Sequence, residues 1–210
     1  MDFSLSDEQQ LIVQTTHDFV VNELYPHEQE VEETGVLRDE LYHELKAKAI
    51  DAGLYAANMP VDVGGAGLDT VAWVLYEKEL GRTNYALHYS CVGRPSNILL
   101  ACAGEQRERY LLPTVRGDRT ECLAMTEPGA GSDLRGMKTS AVASGGDFVI
   151  NGTKHFISHA DHSDYVILFA ATGEETTAHG TRKKMTAFLV DMGHAGFEVR
   201  AGYKNVSHRG

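Results

Sequence analysis

The sequence predicts an α+β protein, in which an all-helical domain of residues 1–118 precedes an antiparallel, β-barrel-like domain of residues 119–210. In the first part, apolar residues recur three or four positions apart, which places them on one face of a helix. After about Thr120 the pattern changes to short apolar runs separated by glycine-containing turns, which is typical of strands. Neither part contains an internal repeat or a low-complexity tract.

Proline and glycine residues divide the first part into helices. Ser6 and Gln9 have the spacing of a capping box, so the first helix begins there, and Pro26 ends or kinks it. Leucines four residues apart predict a second helix, which Gly53 terminates. The remaining predicted helices cover residues 71–81, after a glycine cluster at 64–67, and then residues 85–102 and 105–115.

Turn signals divide the second part into strands. Asn151 and Gly152 are a residue pair that strongly favours a two-residue hairpin turn. The polar stretch 172–184 is interpreted as a loop. The predicted strands are residues 137–143, 147–151, 153–158, 165–170, 186–191 and 197–200.

Composition and charge argue against several classes of function. The hydrophobic fraction of 42% and the charged fraction of 23% are ordinary for a soluble globular protein. A net charge of −11 is opposite in sign to the basic surface that nucleic acid requires. No apolar run approaches the ~20 residues that span a bilayer, and we see no secretory signal. Three cysteines without metal-type spacing indicate reduced thiols, so we expect a cytoplasmic protein.

The segment of residues 123–133 carries the clearest chemical signal. A strand-like apolar run ends at Pro128, and two glycines, the hydroxyl of Ser132 and the carboxylate of Asp133 follow within five residues. Glycines let backbone N–H groups converge on an anion, which suits a phosphate-bearing cofactor. By composition alone, an ordinary tight turn is the simpler interpretation.

The full segment 123–133 closely resembles the flavin-binding signature of the acyl-CoA dehydrogenase family. Other stretches resemble the same family, in the same order, over nearly all of the chain. They are residues 3–11, residues 60–68 with their three glycines, residues 77–82, residues 104–107 and residues 151–158.

The resemblance implies an FAD-dependent oxidoreductase that acts on CH–CH groups by α,β-dehydrogenation of an acyl-CoA thioester. In that family a carboxylate removes the α-proton while a hydride passes from the β-carbon to the flavin. An electron-transferring flavoprotein is the expected electron acceptor, and a homotetramer in fatty acid metabolism is the expected context.

The family's proton-abstracting glutamate lies in a C-terminal helical bundle. We expect the chain to be truncated before that bundle, to lack this glutamate and to hold FAD poorly.

The resemblance also implies the site residues. Thr126 would offer its backbone and hydroxyl to the flavin, Ser132 would contact the cofactor and the substrate, and Ser158 would lie near the reactive nitrogen. The family usually has Trp and Thr at the positions of Phe156 and Ser158, so the redox potential is expected to differ. The implied cofactor-binding residues are Leu123, Ala124, Met125, Thr126, Glu127, Pro128, Gly129, Ala130, Gly131, Ser132, Phe156, Ile157 and Ser158.

Other interpretations remain open from the sequence. A flavin oxidase or monooxygenase has the same fold, and a truncated remnant would be non-catalytic. Glu127 is not assigned as a base, because a Glu before Pro in a glycine-rich turn is usually structural. His155, His159 and His162 are close in sequence, but they do not share a helix, so no metal is expected.

Overall fold

A computed structural model of the chain describes residues 4–178 and 180–200. They form two compact units that divide between Arg119 and Thr120. Helices build the first unit and a sheet dominates the second, which confirms the predicted α+β class and the order of its two parts. No helix among the described residues is long and apolar enough to cross a membrane.

Six α-helices and several short turns of other helix types build the helical unit. The α-helices are α1 Asp7–Phe19, α2 Glu28–Thr34, α3 Asp39–Asp51, α4 Thr70–Leu80, α5 Tyr85–Cys91 and α6 Leu112–Arg116. The segments Val20–Leu24 and Arg107–Leu111 are π-helical, and Tyr25–His27, Val61–Val63 and Asn97–Ala101 are 3₁₀-helical.

The start of α1 is the predicted capping box. The Ser6 hydroxyl accepts a hydrogen bond from the Gln9 N–H at 3.2 Å, and the Gln9 side chain accepts one from the Ser6 N–H at 3.1 Å. Helix α1 ends at Phe19, before Pro26, but the chain remains helical. It passes through the π-helical segment into a 3₁₀ turn that holds Pro26 in its first positions, where a missing N–H costs little.

The single helix predicted for residues 85–102 is wrong. Helix α5 ends at Cys91, and the chain turns helical again only at Asn97. Pro95 lies in the gap, and proline both lacks an N–H and disfavours helical geometry at the residue before it. The Gly93 carbonyl leaves the helix direction and accepts a hydrogen bond from Ala56 N–H at 2.9 Å.

Five strands form the sheet of the second unit. They are β1 Glu121–Ala124, β2 Ser140–Ser144, β3 Asp147–Asn151, β4 Tyr165–Thr177 and β5 Gly180–Asp191. Strand β4 is central, with β1 and β2 parallel to it and β5 antiparallel to it. Strand β3 pairs with β2 as an antiparallel hairpin. The described part of the sheet is therefore mixed and open.

The sheet predicted for this unit is antiparallel and barrel-like, whereas the described sheet is mixed, with antiparallel β2–β3 and β4–β5 pairs beside two parallel pairs, and is not closed. Strands β1 and β4 pair in parallel from Glu121↔Tyr165 to Ala124↔Leu168, because a long connection returns the chain in the same direction. In the strand order β1-β4-β2-β3, with β5 on β4, the described residues do not close into a barrel.

Three local predictions in this unit are also wrong. Residues 172–177 and 180–184 belong to the paired strands β4 and β5 rather than to a loop, and residues 153–158 and 197–200 are irregular rather than strands. The polar residues of the hairpin pair across it, with Glu174 opposite Lys183 and Glu175 opposite Arg182. Opposite charges at facing positions stabilise this largely exposed end of the hairpin.

Each unit has its own apolar core. In the helical unit the Tyr76 side chain is fully buried, and its hydroxyl donates a hydrogen bond to the Leu54 carbonyl at 2.7 Å. Its ring stacks on Trp73 with 5.1 Å between centroids. The core of the sheet unit is formed by Cys122, Ala124, Ala141, Val166, Leu168 and Ala170.

We predict that Tyr76→Phe lowers the free energy of unfolding of the helical unit by about 1–3 kcal/mol, because the buried Leu54 carbonyl loses its donor. The fluorescence of Trp73, the single tryptophan of the chain, reports this unit during urea unfolding. Tyr25→Phe is the matched control, since Tyr25 is 38% exposed. A loss for Tyr76→Phe as small as that of the control would contradict the prediction.

Candidate functional site

A short loop leaves β1 and carries most of the predicted site. Glu127 and Ala130 close a tight turn by two backbone hydrogen bonds of 2.9 and 3.2 Å, with Pro128 and Gly129 at its corner. Farther along, the Asp133 carboxylate accepts a hydrogen bond from the Arg135 N–H at 3.1 Å. The loop between strand β1 and strand β2 is therefore shaped by its own hydrogen bonds.

The second predicted segment lies beside this loop. The His155 N–H donates a hydrogen bond to the Thr126 carbonyl at 2.9 Å. The next residue, Phe156, stacks on the His155 ring with 3.7 Å between centroids. Residues 126 and 155 thus join the two predicted segments within the sheet unit, as a shared site requires.

Phe156 combines an exposed ring with a costly backbone conformation. Its φ of 56° lies in the left-handed region, which costs a non-glycine residue about 1–2 kcal/mol. The residue is nevertheless 65% exposed, so burial of its own ring does not offset that cost. Its neighbour Ile157 turns the other way and packs against the core of the sheet unit. Strain of this kind is typical of residues that serve a ligand.

The buried carboxylate of Glu127 connects the loop to two other segments of the chain. Glu127 accepts hydrogen bonds from the Lys138 N–H at 2.6 Å and the Thr139 N–H at 2.9 Å. The Lys154 ammonium contacts the same carboxylate at 3.0 Å and the Met125 carbonyl at 2.9 Å. The side chains of Glu127 and Lys154 are only 5% and 8% exposed. We call Glu127 and Lys154, with the amides of Lys138 and Thr139, the Glu127 clamp.

These contacts keep Glu127 ionised. Burial acts to raise the pKa of Glu127, but the hydrogen bonds from Thr139, Lys138 and Lys154 outweigh it and bring the pKa to about 2. A carboxylate that binds protons so weakly is a poor general base near neutral pH. Its chemistry favours a structural role in the loop.

Two glycines of the loop are explained neither by backbone geometry nor by packing. A Cβ atom built on Gly129 or Gly131 meets nothing within 4 Å, and neither residue has a left-handed φ. At Gly152, in contrast, an added Cβ would lie 2.6 Å from the Thr139 Cα. The space beside Gly129 and Gly131 is thus left open by the protein itself, as a cradle for a ligand requires.

The other predicted site residues divide by exposure. Ala124 and Ala130 are buried, so their side chains are not available to a ligand. Met125 and Thr126 are partly exposed. Leu123, Pro128, Ser132 and Ser158 are exposed.

The sequence prediction missed Lys154, Lys138 and Thr139. Lys154 lies within the stretch 151–158 that resembles the family, but no spacing pattern connects it with Glu127. Its pairing depends on how the fold brings residues 127 and 154 together. From the sequence, Lys154 is a lysine between a polar and an aromatic residue, and this pattern is also typical of an exposed strand end.

Neither a metal site nor a concavity of the helical unit competes with this loop as the candidate site. Among residues 4–178 and 180–200, no three His, Cys, Asp or Glu side chains lie close enough to hold a metal ion. A concavity of about 540 Å³ in the helical unit is lined partly by Gly64 and Gly65. The charges at its rim, Arg116 and Asp118, pair with each other at 2.9 Å, so the concavity offers little for recognising a charged ligand.

Comparison with known families identifies the chain. Residues 6–118 match the acyl-CoA dehydrogenase N-terminal domain, and residues 122–210 match the acyl-CoA dehydrogenase middle domain. The chain therefore belongs to the acyl-CoA dehydrogenase family.

Individual relatives agree with this membership. The 3-(aryl)acrylate reductase of Clostridium sporogenes is 36% identical over 192 residues, which are 89% of this chain and 48% of that protein. Subunit CarC of the caffeyl-CoA reductase–Etf complex of Acetobacterium woodii is 35% identical over 201 residues, 92% of this chain and 50% of that subunit. The chain spans about half the length of these relatives.

A solved structure also shares the fold. The crystal structure of a glutaryl-CoA dehydrogenase from Mycobacterium smegmatis in complex with FADH2 matches with a TM-score of 0.80 and 25% identity. The match covers 98% of this chain and 50% of that one.

We predict an acid-dependent loss of stability from Glu127. Its pKa is about 2 in the fold against 4.5 as the ordinary value, so its stabilisation is complete above pH 4.5 and is lost as the pH falls towards 2. Each tenfold change in proton affinity is worth about 1.4 kcal/mol, so the ionised carboxylate contributes about 3 kcal/mol to the free energy of unfolding. About 2 kcal/mol of this contribution should be lost when the pH has fallen to 3.

Urea unfolding near pH 6 and near pH 3, followed by circular dichroism, measures this loss. Glu127→Gln is the comparison, because it lacks the titrating group while other carboxylates titrate equally in both proteins. The gap in unfolding free energy between the two proteins should shrink at the lower pH. An unchanged gap would show that Glu127 is not held ionised by the fold.

Proposed function

We propose that this chain provides a flavin site of an FAD-dependent acyl-CoA dehydrogenase, which removes hydrogen from the α and β carbons of an acyl-CoA thioester. The observation that carries the proposal is Phe156, exposed at a left-handed φ and placed beside the glycine loop by the His155–Thr126 hydrogen bond. Family membership and the FADH2 complex of the glutaryl-CoA dehydrogenase support it.

The residues present fit a flavin. The ring of Phe156 supplies an exposed aromatic surface for the isoalloxazine. Thr126 offers its N–H and hydroxyl to the polar edge of the cofactor, and Ser158 offers a hydroxyl on the other side. The open space at Gly129 and Gly131 lets a pyrophosphate approach backbone amides, since no Cβ occupies it.

The chemistry divides between cofactor and protein. When bound, FAD supplies the acceptor for the hydride that leaves the β-carbon. The residues of this chain bind and orient: the loop after β1 holds the polar edge and phosphates of the cofactor, and Ser132 also contacts the acyl-CoA. We assign no residue of this site as the proton-abstracting base, because the Glu127 carboxylate is fully engaged in the clamp.

The proposal extends to partners and assembly. An acyl-CoA is the substrate, and an electron-transferring flavoprotein is the electron acceptor, in keeping with the name of the Acetobacterium woodii complex. Assembly as a homo-oligomer and a role in fatty acid metabolism follow from the family resemblance.

A second candidate is the same hydrogen exchange run in reverse. The relatives from Clostridium sporogenes and Acetobacterium woodii are named as reductases, of an arylacrylate and of caffeyl-CoA respectively. The same flavin site would then deliver hydrogen to a conjugated double bond. Reduction of the bound flavin by a saturated acyl-CoA, against reoxidation of reduced flavin by an enoyl-CoA, distinguishes the two directions.

We predict that Gly131→Ala weakens FAD binding about tenfold, which corresponds to about 1.4 kcal/mol, because the new methyl group occupies the open space of the cradle. The measurement is a titration of the 210-residue chain with FAD, followed by the fluorescence of the flavin. The stability of the protein should be unchanged or slightly raised, since losing a glycine reduces the freedom of the unfolded chain.

Gly146→Ala is the matched control. Gly146 lies in the β2–β3 turn, and its Cβ would likewise meet nothing within 4 Å. FAD affinity should be unaffected there. Equal affinities for both variants and the parent would remove the glycine loop from the site. Weak but saturable FAD binding to the parent chain agrees with the expectation that the chain holds FAD poorly, whereas binding that does not saturate at any FAD concentration would contradict the proposed function.

A further inference from the structure

We propose that Lys154 is a positioning residue for the flavin: it fixes the Met125–Thr126 peptide so that the Thr126 N–H points away from the clamp, towards the cofactor. The inference rests on the proposed function and adds a residue that neither the loop motif nor the aromatic wall contains.

The direction of the peptide follows from the Lys154 contacts. The ammonium donates to the Met125 carbonyl at 2.9 Å, while its other contact is the Glu127 carboxylate at 3.0 Å. In a trans peptide the C=O and the following N–H point in opposite directions. Because the Met125 carbonyl points to the buried ammonium, the Thr126 N–H points to the opposite side of the chain.

The next peptide is fixed from the same segment. The Thr126 carbonyl accepts the hydrogen bond of the His155 N–H, directly after Lys154. Two consecutive carbonyls of the loop are thus held by two consecutive residues of the second segment. Phe156 follows at once, so the same three residues place the aromatic ring and orient the loop. The polar edge and the ring face of a flavin would therefore be set by one rigid connection.

The position of the ammonium is itself fixed by backbone groups. Glu127 accepts hydrogen bonds from two consecutive amides, Lys138 and Thr139, just before β2 begins at Ser140. The carboxylate therefore cannot follow a displaced lysine without losing both. A buried ion pair is weak support for stability, because desolvation offsets its attraction. The Glu127–Lys154 ion pair is therefore better explained by its orientation of the Met125–Thr126 peptide than by a contribution to stability.

Three variants of the 210-residue chain separate orientation from stability. Lys154→Met leaves the Glu127 charge unpaired and removes the donor to Met125. The double variant Glu127→Gln with Lys154→Met removes both charges but still lacks that donor. Lys154→Arg keeps the cation and its donors. For each variant we measure the urea midpoint without cofactor, the FAD dissociation constant and the visible spectrum of bound FAD.

If Lys154 acts by orienting the Met125–Thr126 peptide, the FAD affinity and the urea midpoint should not change in parallel among the variants. Lys154→Met should lower the urea midpoint and weaken FAD binding about tenfold. The double variant should have a urea midpoint above that of Lys154→Met, since no buried charge is left unpaired, but it should keep the weakened binding and an altered flavin spectrum. Lys154→Arg should recover the affinity to within about threefold of the parent.

Each other result overturns the inference. If the double variant recovers affinity together with the midpoint, Lys154 serves stability only. If Lys154→Arg folds but binds FAD as weakly as Lys154→Met, the cationic donor is not what positions the cofactor. If the parent chain itself binds no FAD, the proposed function fails and the role of Lys154 fails with it.

Discussion

The Glu127 carboxylate is the group on which the arrangement of the sheet unit's loops depends. It receives two backbone amides from the segment before β2 and the Lys154 ammonium from the segment after β3. Hydrogen bonds to a charged group are worth about 1.5–3 kcal/mol each, more than neutral ones, because the charge strengthens the attraction. One buried side chain thus connects three segments that lie outside the strands.

This clamp explains how the sheet unit tolerates an exposed, strained aromatic residue. Phe156 lies two residues after Lys154, and the His155 N–H between them is bonded to the loop after β1. The left-handed backbone of Phe156 persists because its neighbours are fixed on both sides, with Ile157 packed into the core. The strained backbone of Phe156 lowers the stability of the protein but places an aromatic ring beside an open glycine loop. This arrangement suits the binding of a flat cofactor.

The sequence predicted what depends on local chemistry and missed what depends on distant pairing. The capping box of Ser6 and the glycine loop after β1 are local features, and both lie where the pattern placed them. The parallel pairing of β1 with β4 joins residues more than forty positions apart, for which no local signal exists. The polar residues of the β4–β5 hairpin predict a loop from the sequence, because their cross-strand charge pairs can be identified only when the register of the two strands is known. Lys154 escaped notice for the same reason.

Hydrogen–deuterium exchange of the 210-residue chain with and without FAD tests the central claim most directly. If the glycine loop and the aromatic segment form one flavin site, FAD should slow amide exchange in residues 123–133 and in residues 155–158 together. Exchange in the turn at Gly145 and Gly146, between β2 and β3, should not change. Protection of one segment without the other, or of neither at saturating FAD, would contradict the account.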